Sequence, residues 1–437
     1  GSNNMANAFG DSFLKSGASL LLLQMAGMGL SLGVSVLLAR QLGPSQFGIY
    51  SFALALATLI SVPVQFGLPP LVVRETARLL YENNVRRMFA LWRWSALIAF
   101  LASAAIFTAV LLLGSLIFAA YITKSLLVAT VLLVPLLAFG MLRAAALRGL
   151  GHVVMGQVPE TIIRPGLILL LLLAILGLGH EIDALSAMVL NVVGTSLTFV
   201  AGALMLARAA PSSRSGMAAP IPHYDWLRAA MFLGVTSAAV VINRNLDIAM
   251  LGSLRSATEV GQYKVSVTLA MVSATALNVL NLLIQPQVAR LNAAGDIDAI
   301  KRLVTKVARL SFVVGLCCAA VFLLLGEEVI ARSFGAEYSA AYPAMSILIA
   351  GQIFNTCFGP VMLVLNMMGQ ERTTMSSVIV AAGGNIVLNA LLIPPFGTLG
   401  AAMATAATFL LWNVLLNIKA RRLLGIDCSI AGWHEGN

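Results

Sequence analysis

The pentapeptide Asn243-Arg244-Asn245-Leu246-Asp247 places charged and amide side chains inside an otherwise apolar segment, 226–251. A charge near the centre of a bilayer costs about 3 kcal/mol on insertion scales. An arginine and an aspartate three residues apart in such a segment therefore predict a shielded polar interior. The alternative is an intrahelical ion pair, because residues three apart lie on the same helical face.

A second group of polar residues has the spacing of a cation site. Asn385 and Asn389 lie one helical turn apart on one face of a later apolar segment, and Thr405 follows in the next. Together with Asp247, their oxygens could ligate a small hard cation. The alternatives are hydrogen bonds between helices, or a proton carried by Asp247.

Composition defines the class of protein. Of the 437 residues, 59% are hydrophobic and 10% are charged, against about 25% charged in soluble domains. This balance predicts a polytopic membrane protein. The formal net charge of +10 does not imply nucleic acid as a partner, because the basic residues concentrate in loops. The four cysteines have neither a disulfide framework nor metal-ligand spacing, so reduced thiols are expected.

The apolar stretches predict an all-α fold, because runs of about 20 apolar residues form transmembrane helices. Basic residues concentrate in both terminal tails and in alternate loops, so the positive-inside rule predicts that both termini are cytoplasmic. Arg164, Arg244 and Lys264 remain inside spans. The twelve predicted spans are 14–39, 48–73, 95–120, 125–147, 158–178, 184–207, 228–252, 260–288, 306–325, 340–368, 373–394 and 398–418.

A connector rich in proline and serine divides the chain into two halves with six predicted spans each. The predicted parts are an expression scar at 1–4, an N-terminal lobe at 5–208, a cytoplasmic linker at 209–225, a C-terminal lobe at 226–424 and a tail at 425–437.

Short repeated motifs support this division. Gly48-Ile49-Tyr50 matches Gly261-Gln262-Tyr263, and Gly151-His152 matches Gly369-Gln370 at nearly the same offset. Each half enters the membrane from the cytoplasm. The halves should therefore be related by a pseudo-two-fold axis along the membrane normal, with a central cleft between them. Repeats around a midplane site are typical of transporters.

The stretch Leu38-Ala39-Arg40-Gln41-Leu42-Gly43-Pro44-Ser45-Gln46-Phe47-Gly48-Ile49-Tyr50, followed by Gly67-Leu68-Pro69 and Arg74-Glu75, resembles the start of Wzx-type polysaccharide flippases. Gly397-Thr398-Leu399-Gly400-Ala401-Ala402 resembles the last inter-helix turn of that family. These flippases belong to the multidrug/oligosaccharidyl-lipid/polysaccharide (MOP) exporter superfamily, with the multidrug and toxin extruders and the lipid II flippases.

The resemblance implies a secondary-type transporter rather than an enzyme. It would carry undecaprenyl-pyrophosphate-linked oligosaccharide from the cytoplasmic to the outer leaflet of a bacterial inner membrane, by alternating access, for O-antigen, capsule or exopolysaccharide synthesis. Partners would be the lipid bilayer and polysaccharide assembly enzymes. We expect a monomer, because two lobes complete the cleft.

A pyrophosphate head group crossing a slab of low dielectric constant needs cations to replace its hydration, and arginine can hold phosphate bidentately. Each candidate also has a structural alternative: an ion pair for Arg244, snorkelling to an interface for Lys264, Arg164 and Arg40, and a topogenic role for Arg143 and Arg148. The candidate substrate-binding residues are Arg244, Lys264, Arg164, Arg40, Arg143 and Arg148.

The lipid II flippases have a sodium site whose pattern is similar to Asp247, Asn385, Asn389, the carbonyl of Ala401 and Thr405. The resemblance thus implies Na⁺ or H⁺ coupling, with no other cofactor. One departure weakens it: an acidic residue is expected where this chain has Asn389.

Two other functions compete with the flippase hypothesis. A multidrug extruder would take organic cations and should have an acidic cavity, whereas the bases inside spans outnumber the one clearly buried acid, Asp247. A membrane-embedded polysaccharide polymerase or ligase should carry a substantial outer loop, and the predicted outer loops are short.

Overall fold

The computed structural model describes residues 2–117, 122–211 and 223–432, and within them side chains from Ser19 onward except at 111, 113–117, 232, 276, 279, 282, 283, 286, 289 and 293. Most of the predicted linker, at 212–222, and the end of the predicted tail, at 433–437, lie outside the described residues.

The described residues are helical, without strands. A π-helical turn, Pro159–Ile163, joins α5 to α6, and a 3₁₀ turn, Ala336–Ala341, precedes α11. The α-helices are α1 Ser2–Gln65, α2 Leu68–Tyr81, α3 Val85–Ile117, α4 Lys124–Gly149, α5 Val153–Val158, α6 Arg164–Gly177, α7 Ala184–Ala209, α8 His223–Leu254, α9 Ala257–Ala293, α10 Ile297–Ser333, α11 Tyr342–Cys357, α12 Val361–Met367, α13 Glu371–Phe396 and α14 Thr398–Leu424.

Two glycines with positive φ interrupt the helices near the first two predicted spans. Gly43, with φ 69° and ψ 170°, interrupts α1 just before Pro44 and separates the predicted spans 14–39 and 48–73. Gly67, with φ 68°, ends α1 and begins α2. Glycine adopts this left-handed region without the steric cost of a Cβ atom. The predicted span 48–73 is therefore not one helix, because its last residues belong to α2.

Among the described residues, nine helices are long and apolar enough to cross a membrane, and a tenth is formed if α11 and α12 count as one bent span. The predicted count of twelve also divides α1 at Gly43 and includes α9, which covers the predicted span 260–288. The described residues of each predicted span thus fall mostly on helix, with breaks at Gly67 and between α11 and α12, and positions 118–120 of the predicted span 95–120 lie outside the described residues. The protein is a multi-pass, all-α membrane protein.

The chain forms two compact units, Met25–Ser253 and Leu254–Asn437 together with Gly1–Gln24. In these units α8 belongs with the first half of the chain. The lobe boundaries inferred from the linker remain a prediction.

In the first unit, α4 packs against α2, α3 and α7, and α6 packs against α7. Small residues permit this close packing. A Cβ atom added to Gly149 would lie 2.6 Å from Thr76 Cβ, and one added to Gly194 would lie 2.7 Å from Ile168 Cγ1. These helices surround the buried charges described below.

In the second unit, α14 packs against α11 and α13, and α9 packs against α10 and α11. After α14, the chain folds back and buries Ile426 and Cys428 against α10 and α12. Asn417 accepts a hydrogen bond from the Cys428 amide at 2.9 Å and donates one to Asp427 Oδ1 at 3.0 Å. The described part of the tail is therefore an integral part of this unit.

Candidate functional site

Three charged side chains meet where α4 faces the π-helical turn. Arg143 Nη2 donates to Glu160 Oε1 at 3.0 Å, and Arg164 Nη1 lies 3.7 Å from Glu160 Oε2. Only 3% of the Arg143 side chain is exposed, against 25% of Glu160 and 19% of Arg164. This cluster carries one net positive charge inside a transmembrane region.

Arg143 is held on several sides. Its Nη1 donates to the carbonyl oxygens of Thr198 and Phe199, at 3.2 Å each, and its guanidinium lies 5.9 Å from the centre of the Phe199 ring. A Cβ atom at Gly202 would lie 2.3 Å from Arg143 Cζ, so only glycine leaves room here. Arg143 is therefore enclosed by protein, and its predicted roles in substrate binding and topology remain predictions.

Arg164 connects the charges to a buried polar chain. Arg164 Nη2 donates to Asn191 Oδ1 at 3.0 Å, and Asn191 Nδ2 donates to Tyr50 Oη at 2.8 Å. Thr195 Oγ1 also donates to Asn191 Oδ1, at 3.2 Å. Tyr50, from the most specific motif of the sequence, thus helps to orient the amide that holds Arg164.

A cavity of about 490 Å³ lies in the same unit, beside the break between α1 and α2. Two charged residues line it, Arg74 and Arg148. Arg74 pairs with Glu75 at 3.2 Å. Arg148 Nε makes a long contact of 3.4 Å to its own helix at the Ala144 carbonyl, and no described carboxylate pairs with its guanidinium. The remaining lining residues are Val62, Gln65, Phe66, Gly67, Pro69, Pro70, Val73, Met141, Gly234, Ser237, Ala238 and Val241.

The pentapeptide 243–247 lies in α8. Asp247 is buried, at 4% exposure, and accepts a hydrogen bond from the Ile248 amide at 2.8 Å. Arg244 is exposed. Both amide atoms of Asn243 are buried without a hydrogen-bond partner among the described residues. Substrate contact by Arg244 remains a prediction.

The other two predicted cations lie near helix breaks. Arg40 is exposed, three residues before Gly43 in α1. Lys264 is partly buried in the first turns of α9. Their predicted roles in substrate binding remain predictions.

The predicted cation ligands of the second unit form an amide ladder. Asn389 Nδ2 donates to Asn385 Oδ1 at 3.0 Å, and Asn385 Nδ2 donates to Thr408 Oγ1 at 3.1 Å. These bonds match the hydrogen-bonding alternative. Asn389 Oδ1 is nevertheless buried without a described partner, so one oxygen is available to a cation or a water. The sodium site at Asp247, Asn385, Asn389, Ala401 and Thr405 remains a prediction.

The structure adds three residues that the sequence analysis missed. Glu160 is the acid between Arg143 and Arg164, Arg74 lines the cavity with Arg148, and Thr408 is the partner of Asn385. A signal existed for Glu160, which stands four residues before Arg164, the spacing of an intrahelical ion pair. The contrast between three bases inside spans and one clearly buried acid was wrong, because Arg244 is exposed and Glu75 is a second buried acid, at 4% exposure.

The fold is similar to that of known membrane transporters. The chain matches the inward closed structure of the lipid II flippase MurJ with a TM-score of 0.72 and 12% identity, over 92% of this chain and 87% of that one. It matches an inward-facing multidrug transporter of the MOP superfamily with a TM-score of 0.72 and 12% identity, over 93% and 98%. These likenesses confirm the predicted MOP fold.

The family model described as "Polysaccharide biosynthesis protein" matches residues 13–291, and the chain belongs to this family. The MatE model matches residues 233–391.

Two curated relatives come from Haloferax volcanii. The probable low-salt glycan biosynthesis flippase Agl15 is 26% identical over 174 residues, which are 39% of this chain. The probable flippase AglR is 25% identical over 173 residues, also 39% of this chain. The matches span 36% of the length of each relative.

Proposed function

We propose that the protein is a flippase that moves a polyprenyl-pyrophosphate-linked oligosaccharide from the cytoplasmic to the outer leaflet by alternating access. Family membership and the similarity to two probable flippases of Haloferax volcanii support this class. The observation that carries the proposal is the cavity containing Arg74 and Arg148.

The chemistry of this cavity suits an amphipathic anion. Its wall is mostly apolar, which fits the first isoprene units of a lipid carrier, and its two charged groups are arginines. Arginine presents a planar fork of N–H donors that matches two phosphate oxygens. Because no described carboxylate pairs with Arg148, its charge is available to such a ligand.

The same cavity argues against an organic cation as substrate. A cationic drug would need a carboxylate to compensate its charge, and none lines this cavity among the described residues. Glu75, the acid next to Arg74 in the sequence, is buried and engaged by Arg74 and Arg78 at 3.2 and 3.3 Å. The structural likeness to multidrug transporters is a likeness of fold, and substrate choice depends on the site.

Further parts of the proposal follow from this class of transporter. The protein would act as a monomer in a bacterial inner membrane with both termini cytoplasmic, as the distribution of basic residues predicts. Coupling to Na⁺ or H⁺ would involve Asp247 and the amide ladder, and the assembly enzymes would supply and consume the glycolipid.

The test is translocation of a fluorescent polyprenyl-pyrophosphate oligosaccharide in proteoliposomes, read by its accessibility to an impermeant quencher. Arg148→Ala should slow translocation by at least about tenfold, because a charge-assisted hydrogen bond contributes about 1.5–3 kcal/mol. Arg148→Lys should recover only part of the rate, since lysine binds as a point charge.

Arg93→Ala is the matched control, because Arg93 is exposed and does not line the cavity. Wild-type rates in Arg148→Ala would remove the cavity from the mechanism. A wild-type protein that exports organic cations and moves no lipid-linked glycan would establish the multidrug alternative.

A further inference from the structure

The cluster formed by Arg143, Glu160 and Arg164 contains one rigid and one loosely held arginine. Arg143 has three hydrogen bonds, at 3.0 to 3.2 Å, to Glu160 and to two carbonyl oxygens. Arg164 has one, to Asn191 at 3.0 Å, and its separation of 3.7 Å from Glu160 exceeds hydrogen-bonding distance. A guanidinium carries five N–H donors. Arg164 therefore has unused capacity toward an anion.

The two partly exposed members of the cluster, Glu160 and Arg164, require polar surroundings. Glu160 and Arg164 keep 25% and 19% of their side chains accessible, although they lie within the predicted span 158–178. Ionised side chains exposed to hydrocarbon would be very costly, so intramembrane charges face a bundle interior or a water-filled cavity. The accessible edge of Arg164 is therefore open to ligands from water.

The backbone is shaped to hold this arrangement. Glu160 lies in the π-helical turn Pro159–Ile163, and the Arg164 amide closes that turn on the Pro159 carbonyl. Such turns are frequent at functional sites. Gly140 provides the space for the carboxylate, because a Cβ atom there would lie 2.7 Å from Glu160 Oε1. Arg143 fixes Oε1, and this directs Oε2 toward Arg164.

We infer that Glu160 competes with the lipid head group for Arg164. Arg164 binds a phosphate oxygen of the head group and returns to Glu160 when the head group leaves. This inference rests on the proposed function and gives Glu160 a role in releasing the lipid head group from Arg164. When phosphate binds, Arg164 exchanges a weak, half-screened pairing with Glu160 for a direct charge-assisted contact. Arg143 keeps the Glu160 charge compensated throughout, so no carboxylate is left unpaired inside the membrane.

Competition predicts the direction in which the affinity for phosphate changes when Glu160 is neutralised, and a purely structural role does not predict that direction. If Glu160 competes, neutralising it must tighten phosphate binding and slow release. If Glu160 only holds the helices together, neutralising it can weaken binding or leave it unchanged. Partly exposed ion pairs contribute modestly, so we expect about a fivefold tightening.

The experiment measures binding of polyprenyl pyrophosphate without a glycan to the full-length protein in nanodiscs, with neutral polyprenol and inorganic pyrophosphate as further probes. In Glu160→Gln, the Kd for polyprenyl pyrophosphate should fall about fivefold and the translocation rate should also fall. Arg164→Gln should raise that Kd by about tenfold or more. Polyprenol binding should be unchanged in both variants. A matching response to inorganic pyrophosphate would identify the phosphate groups alone as the ligand.

Glu160→Asp serves if the glutamine variant does not fold, because its shorter carboxylate still compensates Arg143 but lies farther from Arg164. Glu160→Asp should also lower the Kd for polyprenyl pyrophosphate. Glu328→Gln is the matched control, since Glu328 pairs with Arg332 at 2.6 Å on an exposed surface.

Wild-type protein that binds no polyprenyl pyrophosphate would refute the proposed function itself. Wild-type binding with an unchanged or raised Kd in both Glu160 variants would refute only the role of Glu160.

Discussion

Gly202 offers a sharp test of how the first unit holds its buried charge. It lies in α7 against the guanidinium of Arg143, and a Cβ atom at this position would be 2.3 Å from Arg143 Cζ and 2.4 Å from Nε. Atoms cannot approach so closely, so Gly202→Ala must displace the guanidinium. That group cannot move without lengthening its bonds to Thr198, Phe199 and Glu160, at 3.0 to 3.2 Å.

The expected loss follows from these contacts. Hydrogen bonds to a charged group contribute about 1.5–3 kcal/mol each. Alanine gains up to about 1 kcal/mol over glycine through helix propensity. If two of these bonds are lost, Gly202→Ala should lower the free energy of unfolding by about 2–5 kcal/mol. Because the entropy of unfolding is about 2.1 cal/mol/K per residue, the unfolding midpoint of this long chain should fall by about 2–5 °C.

The assay is thermal unfolding in detergent, followed with a dye that becomes fluorescent on reaction with newly exposed thiols. Cys317 is exposed and is replaced by serine in every variant, whereas Cys428 is buried and burial raises the pKa of its thiol to about 12, so it should react only after unfolding. Gly383→Ala in α13 is the control, because a Cβ atom there meets nothing within 4 Å. This control should match or exceed the wild-type midpoint. Equal midpoints for Gly202→Ala and Gly383→Ala would refute the steric reasoning.

Two further predictions concern the second unit. Burial alone would raise the pKa of the Asp427 carboxyl, but hydrogen bonds from Ser429, Asn417 and Arg421 outweigh it and hold this pKa below its usual range. A lowered pKa stabilises the fold above the unfolded value, about 3.9, and this stabilisation disappears as pH falls through the folded value. Asp427→Asn should therefore lower the unfolding midpoint at pH 7 but much less near pH 3, and an equal decrease at both would contradict this. If the amide ladder binds Na⁺, Asn385→Ala should abolish the sodium dependence of translocation. A wild-type protein indifferent to sodium would exclude that coupling.

Much of the fold could be predicted because a bilayer requires long apolar helices. The described residues of the predicted spans fall mostly on helix, and the gap between the predicted spans 14–39 and 48–73 contains the break in α1 at Gly43. The break at Gly67 was missed, since the apolar pattern continues across it into α2.

The candidate site was less predictable, because residues distant in sequence complete it. Arg143 was expected to orient the chain or to bind substrate, yet it is buried against carbonyl oxygens of α7 more than 50 residues away. Arg148, one turn later on the same helix, lines the cavity instead. Periodicity places both residues on α4, but only the packing of neighbouring helices determines which one is enclosed.

The sequence alone determined that this is an all-α, multi-pass membrane protein and indicated its family, because apolar length and local motifs are carried by consecutive residues. The tertiary structure decided which charges are neutralised. Glu160 becomes the partner of Arg143 only because α4 lies against the π-helical turn, and the guanidinium fits only because Gly202 lies opposite it. Pairing and available space depend on helix packing, which no single segment of the sequence specifies.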